Sequence, residues 1–93
     1  MKKLTVFYLE GCPYCMNARR AVAELAAEMP ELAEIELEWI NERKEAALAD
    51  RYDYYRVPSI FCGDKKLYEA SPSDSYADIK RHIASAVKAA SEN

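Results

Sequence analysis

Cys12 and Cys15 stand two residues apart in Cys-Pro-Tyr-Cys, at a junction between two very different stretches of chain. Before them, Leu4 to Leu9 is continuously apolar or β-prone, the pattern of a strand covered on both faces. Gly11 ends that run, and Pro13 suits the first turn of a helix. After them, Ala18, Ala21, Val22, Leu25, Ala26 and Met29 recur at helical spacing, with Arg19, Arg20, Glu24 and Glu28 on the other face, until Pro30 stops the helix. A doubly buried strand that feeds an amphipathic helix needs a layered α/β fold.

The rest of the chain fits that requirement. Ile35 to Ile40 alternates, with Ile35, Leu37 and Trp39 against Glu36 and Glu38, which predicts a strand with one wet face. Asn41 is placed to cap a second helix over Glu42 to Tyr52. Val57 to Cys62 and Lys65 to Tyr68 read as a hairpin turning at Gly63-Asp64. Ser71, Pro72 and Asp74 read as the cap, first position and acidic first turn of a last helix, whose inner face carries Tyr76, Ile79, Ile83, Val87 and Ala90. The expected order is β-α-β-α-β-β-α: an α/β fold with a mixed four-stranded sheet flanked by helices. The 93 residues suffice for a single domain, 1–93.

Composition narrows the function classes. A formal net charge of −3 argues against a phosphate-backbone partner, so no nucleic acid is expected. No stretch approaches the ~20 apolar residues of a membrane span, and Glu10 interrupts the short N-terminal apolar run before it resembles a leader. These readings predict a cytoplasmic protein, acting as a monomer and away from membranes. Three cysteines cannot all pair within one chain, and a reducing compartment disfavours a permanent disulfide.

A redox couple is the reading that best uses Cys12 and Cys15. Backbone N–H groups at a helix N-terminus are unpaired and the helix dipole is positive there, so a thiolate is stabilised. Cys15 is in register with the buried stripe, whereas Cys12 precedes the first full turn. Cys12 is therefore expected to attack a substrate disulfide and Cys15 to resolve the mixed disulfide. Pro13 restricts the loop between them. Glu10 opposes a thiolate at Cys12, and Arg19 and Arg20 offset it in part. Cys62 reads as a small buried hydrophobe and His82 as a satisfied helix residue. A zinc site would need four ligands, and Cys62 and His82 lack the spacing to complete one.

"CPYC" after a short strand, followed much later by "VPSIF", resembles the glutaredoxin branch of the thioredoxin superfamily. The resemblance covers nearly the whole chain. It implies a thioredoxin-like fold and a dithiol–disulfide oxidoreductase that reduces protein disulfides or mixed disulfides. It also implies a cis Pro58 facing Cys12 and Cys15, leaving the Val57 backbone to pair with an extended substrate. Pro13, Tyr14, Val57, Pro58 and Asp74 are the expected substrate-binding residues. No bound cofactor is expected, with glutathione as a possible co-substrate. Leu9 and Glu10 stand where glutathione users usually carry a basic residue, and "LYEASPSDSY" lacks their Gly-Gly pair. Asp74 and the Ser73 backbone, with Arg51 or Arg56, are the groups left to hold glutathione. Either glutathione or a thioredoxin reductase is thus the expected electron donor. The alternative is a thioredoxin-fold binding module that holds thiol partners, a metal or an iron–sulfur cluster with little turnover.

Overall fold

β1 (Lys2–Tyr8) lies inside the sheet, between β2 (Ile35–Asn41) and β3 (Ser59–Cys62), as its unbroken apolar run predicts. The computed structural model describes residues 2–92. The sheet is four-stranded, ordered β2-β1-β3-β4, with β4 (Lys65–Glu69) at the far edge. β1 runs parallel to β2, pairing Leu4 with Leu37 and Tyr8 with Asn41, and antiparallel to β3. α1 (Pro13–Glu28) carries the chain from β1 to β2, through a short 3₁₀ segment at Pro30–Glu34 that follows the stop at Pro30.

Strand alternation sends β1 side chains to two separate cores. Leu4 and Val6 join Ile60, Ala18, Ala21, Leu25, Ile79, Ile83 and Val87 beneath α1 and α3 (Tyr76–Ser91). Phe7 points the other way, to Ile40, Phe61 and Ala49, with Tyr52, Tyr54 and Val57 around them. The Phe7 ring stacks on Tyr54 at 4.9 Å and meets Tyr52 at 4.7 Å, so aromatic area substitutes for a long helix on this face. Glu36 and Glu38 are exposed, the wet face that the alternation of β2 predicts.

Three expected boundaries are corrected. The second helix does not run over Glu42 to Tyr52: α2 is only Ala46–Ala49. Asn41 does act as a cap, its Oδ1 accepting from the N–H groups of Arg43 (2.9 Å) and Lys44 (3.2 Å). The turn so formed breaks at Glu45, whose ψ of 52° is not helical. β3 starts at Ser59 rather than Val57, because Pro58 has no N–H to give the ladder.

The last helix also starts later than Ser71. Ser75 is its N-cap, its side chain accepting from Asp78 N at 3.1 Å while the Asp78 carboxylate accepts from Ser75 N at 2.9 Å. This reciprocal capping box satisfies the amides of Ser75 and Asp78, whereas Ser71 Oγ reaches only Ser73 N, at 3.4 Å, and leaves Asp74 N to the Ser71 carbonyl. Asp74 instead closes a separate turn, accepting from Ser71 N at 2.9 Å and from the Tyr68 hydroxyl at 2.6 Å.

The two serines give a stability test of this start. Ser75→Ala should cost about 1 kcal/mol in urea unfolding, and Ser71→Ala clearly less. A larger cost for Ser71→Ala would restore the earlier helix start.

Candidate active site

Cys12 is the N-cap residue of α1, and its sulfur takes the part that a serine or aspartate oxygen usually takes. Its Sγ accepts a hydrogen bond from Cys15 N at 3.4 Å. Pro13 occupies the first helical position, where its missing N–H costs nothing. The left-handed Gly11 (φ 78°) turns the chain from β1 into this cap. Helix geometry thus puts the Cys12 sulfur on the N-terminal amides of α1.

The two thiols differ as the stripe pattern predicts. Cys12 is half-buried, while Cys15 is only 3% exposed. Neither sulfur is bonded to the other in this structure. Burial pushes the Cys15 thiol up to about 12; a hydrogen bond from the Leu9 backbone opposes this, and the Cys12 sulfur and Glu42 add to it.

Val57 and Pro58 face this pair from the start of β3. The Val57–Pro58 peptide is cis, as the family resemblance implied, and Pro58 is fully buried. The Cys12 thiol points at the Val57 carbonyl, with Sγ 3.9 Å from the oxygen. Beside them runs a shallow groove of about 280 Å³, with Leu9, Tyr14, Val57, Ala70 and Pro72 on its walls and Arg56 at its rim.

The other expected residues divide. Tyr14 is half-buried against the α1–α3 core, and its hydroxyl donates to the Pro72 carbonyl at 2.8 Å. It therefore forms a wall of the groove and pins the turn at Ser71. Asp74 anchors that turn, and the hydrogen bond from Tyr68, with that from Ser71 N, holds its carboxyl below the usual carboxylate range. Its Oδ2 is thus engaged within the protein. Glu10 is drawn aside: Asn41 Nδ2 donates to its Oε1 at 3.2 Å, and Lys44 lies at 3.7 Å. Arg19 lies over the Trp39 ring at 4.2 Å and Arg20 over the Tyr76 ring at 4.3 Å. His82 stacks on Tyr68 at 4.6 Å. Among the described residues, no three His, Cys, Asp or Glu side chains converge on one point, and no helix is long and apolar enough to cross a membrane.

Lys44, Glu42 and Glu69 border the site without having been singled out in the sequence. Lys44 and Glu42 lie in a run that reads as an ordinary solvated helix face. The Asn41-led turn replaces that helix, and Glu42 N extends the parallel β1–β2 ladder by donating to Tyr8 O at 3.1 Å.

A mixed sheet with a dithiol at the N-terminus of its first helix and a cis-proline opposite defines a thioredoxin-like protein. The glutaredoxin family pattern matches residues 4–67, a stretch that holds the dithiol and Pro58. A thioredoxin from Methanocaldococcus jannaschii is 32% identical over 83 residues, which are 87% of this chain and 95% of that protein. A thioredoxin mutant from Halobacterium salinarum superposes with a TM-score of 0.57 at 24% identity, over 89% of this chain and 72% of that one. A malarial protein superposes with a TM-score of 0.59 at 18% identity, over 89% and 93%. The chain belongs to the glutaredoxin family of thioredoxin-like proteins, a family of thiol oxidoreductases.

The burial contrast predicts a labelling order. In fully reduced protein at pH 8, iodoacetamide should modify Cys12 well before Cys15, because burial both shields the Cys15 thiol and keeps it protonated. Peptide mapping checks this, and equal labelling would contradict the asymmetry.

Proposed function

We propose that the protein is a dithiol–disulfide oxidoreductase that reduces protein disulfides or mixed disulfides. The observation that carries this reading is the asymmetric pair: Cys12 Sγ caps α1 at a half-buried position, and Cys15 is buried one turn on. The Cys12 thiolate attacks one sulfur of the substrate disulfide. That S–S bond breaks, and the first substrate sulfur leaves and takes up a proton. The mixed disulfide removes the negative charge from Cys12, so the influence of that charge on Cys15 falls away. Cys15 then loses its proton and attacks Cys12 Sγ. The second substrate sulfur leaves as a thiol, and a Cys12–Cys15 disulfide remains. Two electrons and two protons have passed to the substrate.

The Val57 backbone lies where an extended segment could pair alongside Cys12, and the groove by Leu9, Tyr14 and Pro72 would take a neighbouring side chain. Pro13 and Pro58 hold the two sides of this cleft. The substrate direction fits a reducing compartment such as the cytosol. Electrons return from glutathione or from a thioredoxin reductase. The second donor is favoured by the absence of a cation at Leu9 and Glu10 and by the internal engagement of Asp74.

Turnover of insulin disulfides with dithiothreitol tests the activity. The wild type should accelerate the reaction, Cys12→Ser should fall to the rate of dithiothreitol alone, and Cys15→Ser should accumulate mixed disulfides. A wild type no faster than Cys12→Ser would contradict the proposal. NADPH-coupled assays with glutathione and its reductase, or with thioredoxin reductase, decide the donor; the second should support the faster turnover.

A further inference from the structure

We infer that Glu69 is a positioning residue for substrate segments at Cys12, acting through the backbone of Tyr55 and Arg56. The inference rests on the reading above, in which substrate meets Val57 beside the attacking sulfur.

The argument starts with a bulge. In a regular strand, residues three apart point to opposite faces. In β4, however, Tyr68 pairs with Ile60 and Lys66 with Phe61, so Leu67 is an extra residue without a counterpart. The register shift turns Lys66 and Glu69 to the same face, and their Nζ and Oε1 meet at 2.7 Å. Bulges are frequent next to active sites, where they re-aim side chains.

The face that Glu69 reaches is the one covered by the loop before Pro58. Its Oε2 accepts from Tyr55 N at 2.8 Å and from Arg56 N at 2.7 Å. Lys66 extends the hold, donating to Glu69 Oε1 and to the Asp53 carbonyl at 3.2 Å. From β3, the Ser59 hydroxyl donates to Arg56 O at 2.5 Å, and after β4 Ala70 N donates to Pro58 O at 3.0 Å. Residues 53–58 are therefore fixed from β3, from β4 and from the residue that follows β4. Val57, whose carbonyl lies 3.9 Å from Cys12 Sγ, is the unit between these anchors.

The Glu69 side chain is only 19% exposed. Burial is the largest influence on its carboxyl and pushes it up, but the hydrogen bonds from Lys66, Tyr55 N and Arg56 N together bring it below the usual range. It is thus ionised at neutral pH and accepts from both amides. Tyr55 is 92% exposed and lines the groove with Arg56. Without Glu69 the two amides lose a charged acceptor, and the Val57 wall loses the anchor on its N-terminal side while the Ser59 and Ala70 contacts remain.

Trapping rates separate this role from a general structural one. In a Cys15→Ser background, the rate of mixed-disulfide formation is measured with a disulfide-bearing peptide and with the small reagent 5,5′-dithiobis(2-nitrobenzoate). The small reagent needs Cys12 but little of the Val57 wall. Glu69→Ala should slow the peptide about tenfold, since small misplacements of a binding surface carry costs of this order, and should change the small reagent by less than about twofold. Glu69→Gln keeps an acceptor oxygen and should fall between Glu69→Ala and the parent. Lys66→Met should shift the peptide rate in the same direction and keeps the test open if Glu69→Ala fails to fold. Peptide rates within twofold of the parent in every folded variant would overturn the inference, as would equal losses for peptide and small reagent. Insulin turnover by the wild type is a separate outcome: its failure would overturn the reductase reading, while the trapping rates would still report on Glu69.

Discussion

The sulfur of Cys12 replaces an oxygen at the cap of α1, and the rest of the site is arranged around that substitution. A helix N-terminus offers unpaired N–H groups and positive potential. Placing a thiol there makes the reactive atom part of the secondary structure, held by Cys15 N at 3.4 Å. The position is fixed because β1 is fixed: it is an inner strand with both neighbours hydrogen-bonded, and Leu4, Val6 and Phe7 are each at most 3% exposed. The C-terminal end of that strand delivers Gly11 and Cys12 to the end of the sheet where the cis Val57–Pro58 bond precedes β3.

Burial then separates two chemically identical groups. Cys12 is half-buried, and Cys15 is buried with its proton held by a surrounding of low polarity. A less buried attacking sulfur and a shielded resolving sulfur give a mixed disulfide a defined order of formation and release. The opposite wall is built by different means. Segment 53–58 has no strand or helix of its own, so a side-chain donor on β3 and a side-chain acceptor on β4 fix its backbone. The wall against which Cys12 works therefore depends on single polar contacts, whereas the thiol pair depends on a whole hydrophobic core.

This difference explains what was legible in the sequence. Continuous apolar runs and helical periodicity report burial, so β1, α1, β2, the hairpin and the inner face of α3 could be read directly. The Cys12–Cys15 contrast followed from the same periodicity. Boundaries set by competing polar contacts were not legible. Ser71-Pro72-Ser73-Asp74 and Ser75-Tyr76-Ala77-Asp78 are both plausible helix starts; the second prevails because its two capping bonds are reciprocal, while Tyr68 engages Asp74. The second helix shrank because the Asn41 side chain organises a turn in its place. Glu69 left no signal, since its direction depends on a single extra residue in β4 that strand alternation alone does not reveal. The family resemblance supplied the cis Pro58, which no local pattern indicates.

The most direct test of the account is a single turnover followed in time. Reduced protein is mixed with one equivalent of a disulfide-bearing peptide, quenched by acid and alkylation at successive intervals, and mapped by mass spectrometry. The account predicts a peptide adduct on Cys12 first, then its decay as a Cys12–Cys15 disulfide grows with release of peptide thiol. A first adduct on Cys15, or an adduct on Cys12 that never resolves into the Cys12–Cys15 disulfide, would contradict it.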